Sequence, residues 1–357
     1  MRVGRIRGIP RHAVAVAIAT LLCGLGACTS SSPPPAATHR RATTPTATTP
    51  AVVPTAQTVH AGAASTVPRA ITARSPLQAL PPTQDIAPVG LTRTPSGGGY
   101  TQVTIAGATS GHTRTAYVWF PPSYGRPGQE HATYPVIEVF HGYKPAPLAF
   151  FTYFHLDEEM ATLVAAHRMR EAVIVIPDWA PGGLDTECVD GGGANPAMET
   201  WLMQDVPDYV ARTYRVARDR GSWVGYGAST GGWCALMAAT LHPATFGSAV
   251  SVGGQGYPEF DPPYIPFQPD SPLGQRHDLT RVLRDEAPPV ALWMLTSRTD
   301  QYSYPTTRTM IAAAKAPTSV DAVVLASGRH HPMFWLPYIP ASLEWVGATA
   351  AGFGSAK

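Results

Sequence analysis

Trp223-Val224-Gly225-Tyr226-Gly227-Ala228-Ser229-Thr230-Gly231-Gly232 reads as a short apolar strand, a sharp turn and the start of a helix running to Leu241, with small residues at Ala235, Ala238 and Ala239. Within it, Gly227-Ala228-Ser229-Thr230-Gly231 fits G-x-S-x-G, a pattern that is weak alone and gains meaning from the strand before it and the helix behind it. A serine on such a turn sits in a strained conformation where neighbouring side chains would clash, so the glycines two before and two after it have a steric reason. The helix points its positive end at the turn, which favours negative charge developing on a bound carbonyl oxygen. Ser229 is therefore a candidate nucleophile, set against the plainer reading of a structural Gly/Ser turn.

Serine is a poor nucleophile at neutral pH and needs a base; on this kind of turn the partners follow in the chain order serine, acid, histidine. Asp300 lies just past the apolar run Val290 to Leu295, in Thr296-Ser297-Arg298-Thr299-Asp300, and His330 lies just past the last such run, in Ser327-Gly328-Arg329-His330. Both positions fall at the carboxyl ends of strands, where open α/β sheets carry their chemistry. Asp270, Asp278, Asp285 and Glu286 compete for the acid role, and His331 for the base, because spacing does not separate adjacent residues. An oxyanion hole needs two backbone donors. The amide of Thr230 is one candidate, and that of Tyr143, in His141-Gly142-Tyr143 after the run Val136 to Phe140, is the other. His141 itself reads as a packed histidine beneath the turn.

Around this centre, apolar runs alternate with helical stretches. Tyr100 to Ile105 and Thr113 to Phe120 form an antiparallel opening hairpin. Strands then follow at Val136 to Phe140, Val173 to Ile176, Ser222 to Val224, Ala249 to Val252, Val290 to Leu295 and Ala322 to Leu325, with helices over Asp157 to His167, Glu199 to Thr213, Gly231 to Leu241, Thr306 to Ala314 and Ile339 to Ala351. Strand and helix in repeated alternation imply an α/β fold, a mostly parallel central sheet with helices on both faces.

The N-terminus sets the compartment. Arg2, Arg5, Arg7 and Arg11 precede an uncharged apolar run from Ala13 to Ala27, the pattern of a signal peptide over residues 1–27, and about fifteen apolar residues fall short of a membrane span. It ends in Leu25-Gly26-Ala27-Cys28, which resembles the bacterial lipobox, so Cys28 is the expected lipid attachment site and the membrane a partner through that anchor; ordinary secretion is the alternative. Residues 28–98, rich in Pro, Thr and Ala, read as a disordered tether with too little apolar surface to offset ordering, and residues 99–357 as the folded α/β domain. Without the four signal arginines, basic residues fall from 26 to 22 against 24 acidic ones, so no basic field remains for nucleic acid. Of the four cysteines, Cys23 leaves with the signal and Cys28 carries the lipid. The remaining pair, Cys188 and Cys234, suggests a disulfide outside the cytoplasm, with two buried free thiols as the alternative. No metal site is expected, since the cysteines do not form ligand-spaced pairs with histidines, and no cofactor is called for.

Taken together, these residues resemble the esterase family of α/β-hydrolases that includes esterase D and the antigen 85 mycolyltransferases, over roughly residues 100 to 350. The resemblance rests on Tyr134-Pro135-Val136 running into His141-Gly142, on Ile176-Pro177-Asp178, on the turn followed by Gly232-Trp233-Cys234-Ala235-Leu236, and on His242-Pro243 with Phe246. The family's C-terminal pattern is matched by Gly328, His330, Trp335, Leu343 and Trp345, a register that selects His330 over His331. Asp185-Thr186-Glu187-Cys188 with Glu199-Thr200-Trp201 and Asp205-Val206-Pro207 is similar to a secreted actinobacterial branch, which adds weight to a bridge between Cys188 and Cys234. Thr230 stands where many members have methionine, Asp300 where antigen 85 proteins have glutamate, and Arg329 where a glycine is common. The resemblance implies an extracytoplasmic serine hydrolase that cleaves a small or lipid-like carboxylic ester through an acyl-enzyme at Ser229. The alternatives are an acyltransferase passing the acyl group to a sugar or lipid alcohol, and a non-catalytic binding lipoprotein on the same fold. Trp179, Phe150, Phe151, Tyr302 and Phe334 fall in loops at the expected mouth, where packing is the expected role for most of them.

Overall fold

The computed structural model describes residues 55–63, 74–144 and 146–355. The expected signal peptide and Cys28 lie outside the described residues. Among the described residues ten strands form one sheet: β1 Ala56–Gly62, β2 Thr92–Arg93, β3 Gly99–Ala106, β4 Thr113–Phe120, β5 Val136–Phe140, β6 Val173–Pro177, β7 Trp223–Ala228, β8 Ser248–Val252, β9 Ala291–Ser297 and β10 Ser319–Leu325, in the order β1-β10-β9-β8-β7-β5-β6-β4-β3-β2. The six strands from β10 to β6 run parallel, and β4, β3, β2 and β1 are antiparallel to their neighbours. The expected opening hairpin is β3 with β4, in register from Gly99 opposite Phe120 to Ala106 opposite Thr113.

The parallel strands are buried end to end because helices cover both faces. Along β5, Val136 and Phe140 enter one core with Trp223, Trp233 and Leu236, while Ile137 and Val139 enter the other with Tyr226, Met160 and Leu343. The first face carries the helix Thr230–Leu241, packed on β5, β7 and β8; the second carries Leu156–Ala165 and Ile339–Thr349, packed on each other. The Thr230–Leu241 helix is buried all round, which explains why it lacks a polar stripe.

Two expectations change. The tether assigned to residues 28–98 ends much earlier: β1 pairs antiparallel with β10, Ala56 opposite Leu325 through Gly62 opposite Ser319, and His60 Nδ1 stands 2.7 Å from Asp321 Oδ1. Residues 74–98 are likewise laid on the body, with Leu77 buried, the Gln84 and Ile86 amides donating to the Arg212 and Thr213 carbonyls, and Arg218 donating to the Leu80 and Pro81 carbonyls. Backbone pairing with the open edge of β10 holds a segment too poor in apolar side chains to signal a strand. The helix expected over Glu199 to Thr213 is broken by a π turn at Trp201–Asp205, closed by the Val206 amide on the Trp201 carbonyl. Pro207, one residue on, has no N–H to continue the regular ladder.

Two buried glutamates set opposite pH trends in stability. Glu138 lies in the middle of β5, fully buried, with no group among the described residues hydrogen-bonded to either carboxyl oxygen, and burial pushes its carboxyl well above the ordinary range. Its folded pKa exceeds the unfolded value of 4.5, so stability is fully present below that value and is lost as pH rises toward the folded one. Glu199 is buried too, yet His242 Nε2 and His277 Nε2 each approach it to 2.8 Å and Arg276 donates at 2.7 Å and 3.1 Å. Burial alone would raise its carboxyl, but these bonds outweigh burial and hold it far below the ordinary range, so its stabilisation is present above pH 4.5 and is lost as pH falls. Melts of Glu138→Gln are expected to show a gain of about 2 kcal/mol at pH 8 and little at pH 4. Those of Glu199→Gln should show a loss of about 3 kcal/mol at pH 7 that shrinks toward pH 3. Parallel profiles for the two variants would refute the assignment.

Candidate active site

β7 ends at Ala228 and the helix begins at Thr230, so Ser229 alone makes the turn, with φ 56° and ψ −127°. A non-glycine residue in this region is strained, and the surroundings fix it there: its amide donates to the Val252 carbonyl at 2.9 Å, and its carbonyl accepts from the Gly232 amide at 2.8 Å. The flanking glycines are required by close approach. A Cβ at Gly227 would collide with the Gly231 backbone, and one at Gly231 with the Phe140 and His141 carbonyls.

Ser229 Oγ lies 2.8 Å from His330 Nε2, and His330 Nδ1 lies 3.0 Å from Asp300 Oδ2. Asp300 is 2% exposed and accepts three further bonds, from the Tyr302 and Ser303 amides at Oδ1 and from the Ser303 hydroxyl at Oδ2, 2.8 Å away. Burial pushes its carboxyl up, but the bonds from His330 and Ser303 outweigh burial and leave it below the ordinary value, hence ionised at neutral pH. The acid loop and the histidine loop are tied together: Ser297 Oγ and Thr299 Oγ1 both donate to the Gly328 carbonyl, at 2.7 Å and 2.6 Å, and the Gly328 amide donates back to Thr299 Oγ1. The imidazole is further confined by Trp335, edge-on at 4.9 Å, and by Tyr302 at 5.2 Å.

The rival residues have other duties. His331 caps the following short helix by accepting from the Met333 amide, Asp278 caps the helix Leu279–Asp285, and Asp285 is an exposed partner of Arg284. Asp270 and Glu286 are exposed. His141 is 1% exposed, stacked on Trp179 at 4.7 Å, and its Nδ1 donates to the Gly142 carbonyl at 2.9 Å; Trp179 Nε1 donates to the His141 carbonyl. This packing fixes the loop that carries Gly142 and Tyr143. A Cβ at Gly142 would stand 3.2 Å from the Ala228 carbonyl and 3.6 Å from Ser229 Cβ, so the loop lies directly against Ser229. Of the aromatic residues expected near the mouth, Trp179, Phe150 and Phe151 are buried and Tyr302 is exposed beside His330.

Ser229, His330 and Tyr143 stand where two clefts meet. One, of about 320 Å³, is apolar, lined by Ala146, Phe150, Tyr153, Phe154, Pro332 and Trp335; the other, of about 450 Å³, carries Asp185, Glu187, Glu259 and Asp261. Sequence reasoning gave no site role to Ser303, Thr299 or the four carboxylates. Ser303, three residues after Asp300, is a signal that was available, whereas the carboxylates come from two loops that only the fold brings together.

Cys188 and Cys234 are bonded, with Cα atoms 5.9 Å apart, which joins the loop after β6 to the helix Thr230–Leu241. Closing a loop across a separation of 46 residues contributes about 4 kcal/mol by the chain-entropy relation. Cys188→Ala with Cys234→Ala is expected to lose roughly that much in denaturant melts; a variant as stable as the parent would contradict it.

The family model "Putative esterase" matches residues 107–345, more than half of the chain. The chain belongs to this esterase family. An uncharacterized protein of Corynebacterium glutamicum is 29% identical over 167 residues, a match that spans 45% of this chain and only 38% of that protein. Among solved structures, the chain is similar to an S-formylglutathione hydrolase from Agrobacterium tumefaciens, with a TM-score of 0.59 at 17% identity, covering 72% of this chain and 98% of that one. It is also similar to a ferulic acid esterase, with a TM-score of 0.56 at 20% identity over 72% and 99% of the two chains, and to MPT51 of Mycobacterium tuberculosis, with a TM-score of 0.51 at 18% identity over 70% and 98%. At these identities the likeness is one of fold, the α/β-hydrolase fold expected from the sequence.

Proposed function

We propose that the protein is an exported hydrolase of carboxylic esters that works through an acyl-enzyme on Ser229. The unbroken chain from Ser229 Oγ to His330 Nε2 and from His330 Nδ1 to Asp300, at 2.8 Å and 3.0 Å, carries this reading. His330 takes the Ser229 proton as the oxygen attacks the ester carbonyl. Asp300 keeps the proton on Nδ1, so that Nε2 is the acceptor, and stabilises the imidazolium that forms. The amides of Thr230 and Tyr143 are assigned to the oxyanion, one at the start of the helix Thr230–Leu241 and one on the loop held against Ser229 by Gly142. His330 then returns the proton to the departing alcohol, and water activated by the same imidazole releases the acid. The apolar cleft beside Ser229 fits the acyl part.

A p-nitrophenyl ester mixed rapidly with the enzyme should release a burst of about one p-nitrophenol per chain before the steady state. No turnover on any of a panel of p-nitrophenyl esters would overturn the reading, while transfer of the acyl group to added glycerol or trehalose in preference to water would identify an acyltransferase using the same intermediate.

Export and anchoring through Cys28 are supported by the arginine-rich start, the apolar run, Leu25-Gly26-Ala27-Cys28 and the disulfide, which suits an oxidising compartment. Full-length chain produced in a bacterial host should partition with membranes and shift to the medium on Cys28→Ala; a soluble cytoplasmic product would refute this.

A further inference from the structure

The cleft opposite the acyl side is built for charge. Asp185, Glu187, Glu259 and Asp261 line it together with Phe260 and Tyr302, and among the described residues no lysine or arginine does. Glu259 and Asp261 are exposed at its rim, whereas Glu187 is 2% exposed and its Oε2 has no hydrogen-bond partner among the described residues. A buried carboxyl with an unused oxygen on the wall of a cleft is costly unless something in the cleft completes it. The segment is also held rigidly. Trp233 Nε1 donates to the Glu187 carbonyl at 2.9 Å, the Glu187 amide donates to Asp185 at 3.1 Å, and the neighbouring Cys188 is bonded to Cys234 on the nucleophile helix.

We propose that this acidic cleft binds the alcohol portion of an ester when that portion carries a positive charge, an amino alcohol or a quaternary ammonium alcohol, with the acyl chain in the apolar cleft. The inference rests on Ser229 being the nucleophile, since only then does the alcohol leave on the side opposite the acyl group. Carboxylates supply the counter-charge, and Phe260, Tyr302 and Tyr143 line the same cleft with aromatic rings, which attract an ammonium group. Among the described residues no three His, Cys, Asp or Glu side chains are placed to hold a metal ion, so the four carboxylates fit a larger organic cation better than a coordinated one. Burial and mutual repulsion raise the carboxyls of Glu187 and Asp185, the state that a cation among them would reverse.

The test compares butyrylcholine with 3,3-dimethylbutyl butyrate, which has the same shape and no charge. The expected ratio of kcat/KM, choline ester over neutral ester, is about tenfold or more at low salt and falls as salt is added. The double variant Glu259→Gln with Asp261→Asn, at exposed positions that do not threaten folding, is expected to cut that ratio by at least about threefold, and Glu187→Gln to cut it further. A ratio near one in the wild type, or a ratio unmoved by the double variant, overturns the cationic assignment and leaves the serine mechanism standing. Preference for an uncharged sugar ester overturns it as well. Failure to hydrolyse either ester, with no p-nitrophenol burst, sinks both readings together.

Discussion

Ser229→Ala is expected to lower kcat by about 10⁶-fold while leaving the melting temperature within a few degrees of the parent. The size follows from the mechanism. Without Oγ there is no atom at the end of the hydrogen-bonded chain to attack the carbonyl, and the 2.8 Å contact to His330 Nε2 disappears with it. The fold should tolerate the change, because the serine's backbone, not its side chain, makes the bonds to Val252 and Gly232 that hold the turn. The kinetics are checked by steady-state turnover of a p-nitrophenyl ester against a blank without enzyme. A residual rate within a hundredfold of wild type would mean that another group performs the attack.

Asp300→Asn comes next in size, with an expected loss of about 10⁴-fold in kcat. The asparagine keeps an oxygen to accept from the Tyr302 and Ser303 amides, so the loop stays in place. What changes is the group facing His330 Nδ1: an amide that donates there stabilises the wrong tautomer, putting the proton on Nε2, where Ser229 needs an acceptor. The lost carboxylate also no longer stabilises the imidazolium. Measured kcat within tenfold of the parent would show that Asp300 does not orient the base, and would turn attention to the acidic cleft as a source of the missing charge.

Much of this centre was legible before any coordinates, and the reasons are local. The turn at Ser229 is dictated by glycines whose absent side chains leave room for neighbouring backbone, so its signature is written in adjacent residues. Asp300 and His330 follow apolar runs that become β9 and β10, and parallel strands deliver their carboxyl ends to one edge. Between two adjacent histidines the family register points to His330, and the structure gives the physical counterpart: His330 turns toward Ser229 while His331 caps a helix.

What stayed hidden depended on contacts far apart in the chain. β1 has no apolar pattern of its own and is a strand because β10 offers an open edge. Glu138 sits in a run that reads as wholly buried, and nothing in Val136-Ile137-Glu138-Val139-Phe140 announces that its carboxyl finds no partner. The acidic cleft joins Asp185 and Glu187 to Glu259 and Asp261 across more than seventy residues of sequence. Each pair of carboxylates alone looks like ordinary loop polarity.

The central claim is most directly tested by reacting the protein with a fluorophosphonate and locating the adduct by peptide mass spectrometry. One adduct per chain, on the peptide containing Ser229 and strongly slowed in His330→Ala, is the result predicted here. Equal labelling of Ser229→Ala, or an adduct on any other residue, would contradict it.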